Sequence, residues 1–361
     1  MKTKVFIVGS VGIPAKYGGW ETLAEQLAKN IDVKKIDLTV FCSSKSYKEK
    51  KSSYLNATLK YINISANGIS SIFYDLRSIF VSRKKADVFL VLGVSAMIFL
   101  PVLKKITNAK FIVNIDGMEW KRQKWNLYAK NFLKISEYFS IKYADLIIAD
   151  NEEIKKYLTN RYGLIAKLIP YGGDHVSFEP IDGISKYGEK YILTIARIEP
   201  ENNIELMLDA LIDTNLSYPY VFVGNWLHSK YSRVMYDKYS QYPNIHLIGP
   251  IYNIKELNDL RSNCSIYLHG HSAGGTNPSL VEAMMSSCEI VTIDNSFNKY
   301  TTGGLATYFK NKLELSTLIK LKNKNKFLSK KDSTLRYARK FYMWTPITRL
   351  YEELFIKISD K

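Results

Sequence analysis

Apolar positions along the chain recur in short β-branched bursts separated by stretches with helical spacing. The first burst, Lys4 to Val8, ends in Gly9; a loop, SVGIPAKYGGWE, follows, and then Leu23, Leu27 and Ala28 share one helical face. Further bursts at Leu38 to Phe41, Leu59 to Ile62, Val88 to Leu92, Phe111 to Asn114 and Leu146 to Ala149 alternate with helical patterns. The same grammar restarts after IPYGGD (Ile169 to Asp174). Strands are expected there at Tyr191 to Ile195, Tyr220 to Val223, Ile245 to Ile248, Ile266 to Leu268 and Ile290 to Ile293, with a helix from Ile204 to Leu211. Such alternation predicts an α/β protein with mostly parallel sheets joined by right-handed crossovers. The Pro and paired glycines of IPYGGD mark a boundary between residues 1–168 and 169–340. From Leu335 to Ile358 the tail reads as helical and aromatic-rich, with Tyr337, Phe341, Trp344, Tyr351 and Phe355 expected to pack, and KLKNKNKFLSKK near 320–331 reads as a solvated basic segment.

Length agrees with two domains, since 361 residues exceed one ordinary core. Cys42, Cys264 and Cys288 show no pairing or metal spacing and are expected to be reduced core residues of a cytosolic protein. No leader is expected, because the chain enters a strand almost at once. The longest apolar run, Val88 to Leu103, is interrupted by Gly93, Ser95 and Pro101 and falls short of the roughly 20 residues a span needs. Charge changes the picture more. The formal net charge is +17, and residues 1–168 hold 28 Lys+Arg against 14 Asp+Glu, whereas residues 169–361 hold 23 against 20. A basic first half fits an anionic membrane surface or a phosphorylated acceptor. Nucleic acid is not expected, because no helix-turn-helix, zinc or aromatic RNA-binding signature accompanies the charge.

Candidate chemistry centres on HGHSAGGTNPSLVEAM, His269 to Met284, which reads as a strand, a loop and a helix start. Gly274 and Gly275 let the backbone approach a ligand, and Thr276 and Asn277 precede Pro278 at the positive end of a helix, a place for phosphate. Glu282 adds a carboxylate suited to sugar hydroxyls. In doubly wound sheets ligands gather beyond the carboxyl ends of strands. That rule singles out Arg197, able to hold phosphate oxygens, and NIDGMEWKRQKW (Asn114 to Trp125), where Asp116 stands nearest the strand end and Lys121, Arg122 and Lys124 could attract a diphosphate or a lipid headgroup. Gly18 and Gly19, just before a helix start, form a second anion cradle that Trp20 could wall. A salt bridge from Arg197 to Glu199 or Glu201, a solvated charged loop and plain glycine turns are the structural alternatives at these places.

The four stretches VGIPAKYGGWET, DGMEWKRQKW, ARIEPENN and HSAGGTNPSLVEAM together resemble retaining family 4 glycosyltransferases of the GT-B fold, and more narrowly bacterial rhamnosyltransferase-type members that build capsule and O-antigen repeat units on a lipid carrier. The resemblance implies two Rossmann-like doubly wound parallel-sheet domains facing a central cleft, with the final helix, residues 341–361, crossing back to complete the first. It implies a donor site of Gly18, Gly19, Gly172, Gly173, Arg197, Gly274, Gly275, Thr276, Asn277 and Glu282, and an acceptor site of Tyr17, Trp20, Glu119, Lys121, Arg122 and Lys124. Asp116, Arg197 and Glu282 would carry catalysis, Asp116 in the region where many relatives place a histidine near the transferred sugar. Two positions depart from the family pattern. Asn202 stands where a Lys is usual, and Gly274 where a Glu is common.

The implied reaction transfers a hexose with retention from a nucleotide-diphosphate sugar to a polyprenyl diphosphate-linked saccharide, at the inner face of the cell membrane, with neither cofactor nor metal. L-rhamnose from dTDP-rhamnose is the leading donor and a UDP-hexose the alternative. A sugar-nucleotide epimerase and a non-catalytic basic membrane-surface scaffold remain as rival readings.

Overall fold

The computed structural model describes residues 2–16, 18–115, 117–122, 125–176, 187–188, 190–216 and 218–360. The chain forms two compact units, one of residues 1–121, 125–172 and 344–361, the other of residues 122–124 and 173–343. The break falls between Gly172 and Gly173, a few residues beyond the expected boundary, and the tail rejoins the first unit at Trp344.

The first unit runs β1 (Thr3–Val8), α1 (Gly19–Asn30), β2 (Ile36–Ser43), β3 (Ser53–Tyr54), β4 (Ala57–Ile62), α2 (Ser70–Ser82), β5 (Val88–Leu92), α3 (Leu100–Ile106), β6 (Lys110–Ile115), α4 (Leu127–Tyr143), β7 (Leu146–Ala149), α5 (Glu152–Tyr162) and β8 (Lys167–Leu168), and is completed by α13 (Trp344–Ser359). Its sheet has the order β3-β4-β2-β1-β5-β6-β7-β8, parallel throughout except for β3 against β4. Strand β5 is buried along its whole length, which is why it reads as an unbroken apolar run rather than an alternating one. On one face Leu23 and Leu27 of α1 and Ile347, Tyr351 and Phe355 of α13 pack with Val5, Ile7 and Leu90. The strand order reverses between β1 and β5, and there Gly9, with φ 92°, lies so close to β5 that a Cβ would collide with the Leu92 carbonyl oxygen. The run Val88 to Leu103 therefore divides into β5 and α3, and among the described residues no helix is long and apolar enough to cross a membrane.

The second unit runs β9 (Ile192–Ile195), α6 (Ile204–Ile212), β10 (Tyr220–Val223), α7 (Lys230–Tyr239), β11 (Ile245–Ile248), α8 (Ile254–Asn263), β12 (Ile266–His269), α9 (Pro278–Met285), β13 (Ile290–Ile293), α10 (Ser296–Thr301), β14 (Thr307–Phe309), α11 (Lys312–Asn323) and α12 (Lys331–Phe341). Its six strands, ordered β11-β10-β9-β12-β13-β14, are all parallel, and the order reverses between β9 and β12. The basic run at 320–331 is only partly a solvated segment: Lys320 and Lys322 belong to the last turn of α11, where cations suit the negative end of a helix. The helical tail is broken at Tyr342 and Met343. Trp344, Tyr351 and Phe355 are buried as expected, but Phe341 is not; at the end of α12 it is 44% exposed.

Candidate functional site

In the second unit the loops beyond β9 and β12 are laced together at the place where the strand order reverses. Ser272 donates to the Glu201 carbonyl through both its backbone N–H (2.9 Å) and its hydroxyl (2.7 Å). Asn203, held at φ 53°, donates from its side chain to the Gly270 carbonyl at 2.7 Å. Arg197 leaves β9 with its side chain exposed, and its carbonyl accepts from the Asn202 amide at 2.8 Å. Asn202 therefore braces the loop that carries Arg197, where a Lys would have supplied a second cation. Glu199 lies 3.1 Å from His228 Nε2. Glu201 is buried, and neither of its carboxylate oxygens has a hydrogen-bond partner among the described residues. The salt-bridge alternative for Arg197 is thus not what Glu199 and Glu201 are doing.

Beyond β12 come two histidines that the sequence reading passed over. The rings of His269 and His271 stack with centroids 4.4 Å apart and planes 12° from parallel. Burial pushes His269 down to about 3, and burial, His269, Arg197 and Arg122 together push His271 well below its usual range. Both rings are therefore neutral near pH 7, and His271 lies within the electrostatic reach of Arg197. The signal was present in the spacing His-Gly-His directly after an apolar strand, but a lone histidine pair says little without its neighbours. The His271 carbonyl is fixed by the side-chain amides of Asn295 (2.9 Å) and Asn298 (3.0 Å).

The loop then passes Gly274 and Gly275, with Gly274 at φ 115°, and enters α9 through a buried Thr276 and the N-cap Asn277, whose side chain accepts from the Ser279 backbone N–H at 3.1 Å. Pro278 occupies the first helical position, where a missing N–H costs nothing. Glu282, one turn further, is largely enclosed. One of its oxygens accepts from the buried guanidinium of Arg261, and the other lies 3.2 Å from His175 Nε2. Burial alone would raise its pKa, but Arg261 and His175 outweigh burial and hold the carboxyl below its usual range. A carboxylate offers about four lone-pair directions, so Glu282 keeps capacity to accept from a hydroxyl as well. Arg261 and His175 were not foreseen. Arg261 shares the helical spacing of Leu257 and Leu260 on α8, which on its own reads as a packed face with one snorkelling cation.

Gly172 and Gly173 are packing glycines at the boundary. Gly172 lies against the Trp344 ring within the first unit; Gly173, in the second, lies against Val281 and donates its N–H to the Tyr342 carbonyl at 2.8 Å.

In the first unit the expected anion cradle at Gly18 and Gly19 already faces a carboxylate. Glu21, in the first turn of α1, accepts from the Val11 backbone N–H at 2.7 Å, and a Cβ on Gly18 would collide with its other oxygen. Burial raises the Glu21 pKa, with the Val11 bond opposing. Trp20 is half-buried and packs on the adjoining core. The loop after β6 is knitted internally: Trp125 Nε1 donates to Glu119 at 3.1 Å, and Trp120 Nε1 donates to Glu137 at 3.1 Å. Glu137 also takes the hydroxyls of Tyr157 (2.6 Å) and Tyr162 (2.9 Å). The polar ends of both tryptophans are thus committed within the unit rather than offered to a ligand. Lys121 is exposed, and Arg122 is buried and groups with the second unit. Tyr17, Asp116 and Lys124 lie outside the described residues. The cysteines expected to be unrelated are not all so: Cys264 and Cys288 both reach the Arg261 carbonyl, at 3.3 and 3.2 Å.

Comparison with known proteins follows the same division. Residues 2–174 match a family described as a domain of unknown function, DUF1972, and residues 179–307 match the family of glycosyl transferases group 1. No curated protein matches the chain. Among solved structures, a sucrose-phosphate synthase from Thermosynechococcus elongatus is similar with a TM-score of 0.81 at 13% identity, covering 99% of this chain and 100% of that one. HepE of Anabaena, solved with UDP-glucose, is similar with a TM-score of 0.76 at 13% identity and the same coverage. A glycosyltransferase from Rickettsia africae gives 0.68 at 12% identity, covering 99% and 98%. The fold is therefore GT-B, and the loops around Arg197, His271 and Glu282 all lie within the segment that matches glycosyl transferases group 1.

Proposed function

We propose that this chain is a retaining glycosyltransferase that moves a hexose from a nucleoside-diphosphate sugar to a hydroxyl of a polyprenyl diphosphate-linked saccharide at an anionic membrane surface, as bacterial surface-polysaccharide assembly requires. The observation that carries the reading is the position of Arg197. The exposed Arg197 stands beyond β9 on a loop whose backbone is braced by Asn202 and laced through Glu201 and Ser272 to the glycine loop that opens α9, inside the segment matching glycosyl transferases group 1.

In this reading the second unit holds the donor. Arg197 and the positive end of α9 stabilise the departing diphosphate, work that fixed charges and dipoles do without rearranging. Glu282, oriented by Arg261 and His175, accepts from ribose hydroxyls, and Gly274 to Asn277 give backbone approach to the distal phosphate and the sugar. The bond from the anomeric carbon to the diphosphate breaks as the acceptor oxygen bonds on the same face, and the acceptor proton passes to a leaving phosphate oxygen. No metal is needed in this scheme, because Arg197 and the positive end of α9 stand in for one. Asp116 would orient sugar or acceptor, with Tyr17, Trp20, Glu119, Lys121, Arg122 and Lys124 on the acceptor side. L-rhamnose from dTDP-rhamnose is the donor favoured by the sequence motifs, and the UDP-glucose bound by HepE supports a uridine donor as the alternative.

A thermal-shift panel of nucleotide sugars tests the assignment. The true donor at a hundredfold excess over Kd should stabilise the chain by about 2.7 kcal/mol. If dTDP-rhamnose, UDP-glucose and their relatives all leave the melting curve unmoved, the donor site is wrong. Product analysis with and without acceptor then separates transfer from epimerisation, since an epimerase alters the donor alone.

A further inference from the structure

Helices α2, α3 and α4 cover one face of the first unit's sheet. Passing from β4 to β5, β5 to β6, β6 to β7 and β7 to β8, the chain crosses the sheet in a single direction, and right-handed crossovers place these three helices on one face with α5 beside α4. The crossover from β1 to β2 runs the opposite way, and its helix α1 packs with α13 on the other face.

The outer surface of α2 to α4 is the reverse of an ordinary solvated helix face. Ile69, just before α2, and Phe73 and Phe80 within it are 79%, 60% and 44% exposed, with Arg77 exposed between them at helical spacing. Val102 on α3 is 60% exposed and is followed by Lys104, Lys105 and an exposed Ile106. Leu127 and Tyr128 open α4 at 70% and 86% exposure, and Ile135, Tyr138 and Lys142 continue its exposed surface. Carboxylates are few on these three helices and in the turns that follow them. The acids of the three helices, Asp75 and Glu137, are both buried. In the following turns Asp87 and Asp145 are exposed but engaged, Asp87 accepting from the Lys4 backbone N–H and Asp145 paired with Lys104, and on the adjoining α5 Glu152 and Glu153 are paired with Lys155 and Lys156.

We infer that the outer face of α2, α3 and α4 docks on an anionic lipid bilayer, with Phe73, Phe80, Val102 and Leu127 entering the headgroup region and Arg77, Lys105 and Lys142 meeting lipid phosphates. Apolar side chains interleaved with cations, with few acids and those engaged by neighbours, are what an interfacial surface needs. A protein partner fits less well, because protein interfaces are depleted in lysine. Nucleic acid fits less well too, because Ile69, Val102 and Leu127 have nothing to offer a phosphate backbone. The membrane partner belongs to the function proposed above, and this inference rests on that reading for its purpose while resting on the exposed surface for its evidence.

The test is flotation of the full chain with vesicles of phosphatidylcholine alone and of phosphatidylcholine mixed with phosphatidylglycerol. The chain should float with the mixed vesicles and not with phosphatidylcholine alone. Phe73→Ser with Val102→Ser should weaken flotation at least tenfold with an unchanged melting temperature, since both side chains are already exposed. Arg77→Glu with Lys105→Glu should weaken it by at least about 25-fold, fivefold for each cation lost. Lys29→Glu with Lys357→Glu, the same charge change on the α1 and α13 side, should leave it intact. The inference is overturned if the mixed vesicles bind nothing, if both charge pairs weaken binding equally, or if the apolar pair proves to abolish a dimer while flotation persists. Donor-induced stabilisation, read on the same samples, stands apart: its survival when flotation fails would spare the transferase reading, and its absence when flotation succeeds would sink only that reading.

Discussion

The guanidinium of Arg261 and the carboxylate of Glu282 form an ion pair enclosed within the second unit, the arginine side chain only 2% exposed. This pair changes what a substitution at Glu282 means. Removing one partner of a buried pair leaves an uncompensated charge, which costs roughly 3–5 kcal/mol. Glu282→Gln should therefore lower the unfolding free energy by about that amount in urea, apart from any effect on donor binding. Replacing the pair together, as Arg261→Met with Glu282→Leu, should recover most of the stability without restoring donor binding. A Glu282→Gln protein as stable as the parent would show that Arg261 is solvated after all.

Arg197 offers the cleaner functional test because its side chain is exposed and carries no part of the core. Arg197→Ala should slow sugar transfer by about 100-fold or more, the usual cost of one preorganised electrostatic group, while the melting temperature stays put. Arg197→Lys should recover only part of the rate, since an ammonium is a point charge rather than a fork. Transfer by Arg197→Ala at the parent rate would remove this residue from the mechanism.

At Gly18 the backbone sits at φ 110° and ψ 153°, a region essentially reserved for glycine. Gly18→Ala should cost roughly 1–3 kcal/mol of stability for that reason. The neighbouring Glu21 carboxylate adds a clash that a second substitution can relieve. Adding Glu21→Ala to Gly18→Ala should therefore not restore the melting temperature, because the backbone strain remains; a full rescue would assign the whole cost to the clash.

How much of this was legible in the sequence depended on whether a feature was local. Strands such as β5 and β7 were readable to the residue, because burial on both faces makes an apolar run that ends where the sheet ends. The stretch from His269 to α9 was readable as a strand end, a loop and a helix start, because glycines, an N-cap Asn and a Pro at the first helical position each have a local meaning. The partners of Glu282 were not. Arg261 and His175 are distant in sequence, and the Arg sits at ordinary helical spacing, so only the folded unit reveals that it is sealed against a carboxylate. The two-residue strands β3 and β8 are too short to carry any period. Asn202 was visible as a missing cation, yet its bond to the Arg197 carbonyl shows a positive role that substitution patterns could not supply. Exposed Phe73 and Phe80 were invisible as well, since an apolar residue on a helix is read as core until the sheet beneath it is known.

Asp75 on α2 makes stability depend on pH in a direction opposite to that of most carboxylates. It is 3% exposed, and one of its oxygens has no partner among the described residues. Burial pushes its pKa up to about 8, against a hydrogen bond from the Gly9 backbone N–H that opposes the shift. The folded state therefore keeps a proton that the unfolded chain, ionising near pH 4, has already released. Between about pH 4 and pH 8 the folded protein binds more protons than the unfolded one, so this group's contribution to stability falls as pH rises, by at most about 1.4 kcal/mol per unit, and levels off above the folded pKa. Asp75→Asn resembles the protonated acid and cannot ionise. It should match the parent only below about pH 4 and exceed it increasingly from there towards about pH 8 in urea unfolding, with the gap constant beyond. A gap that does not widen over that window would mean Asp75 is ionised in the folded protein, and that the space beside Gly9 at the end of β1 admits water or a counter-charge.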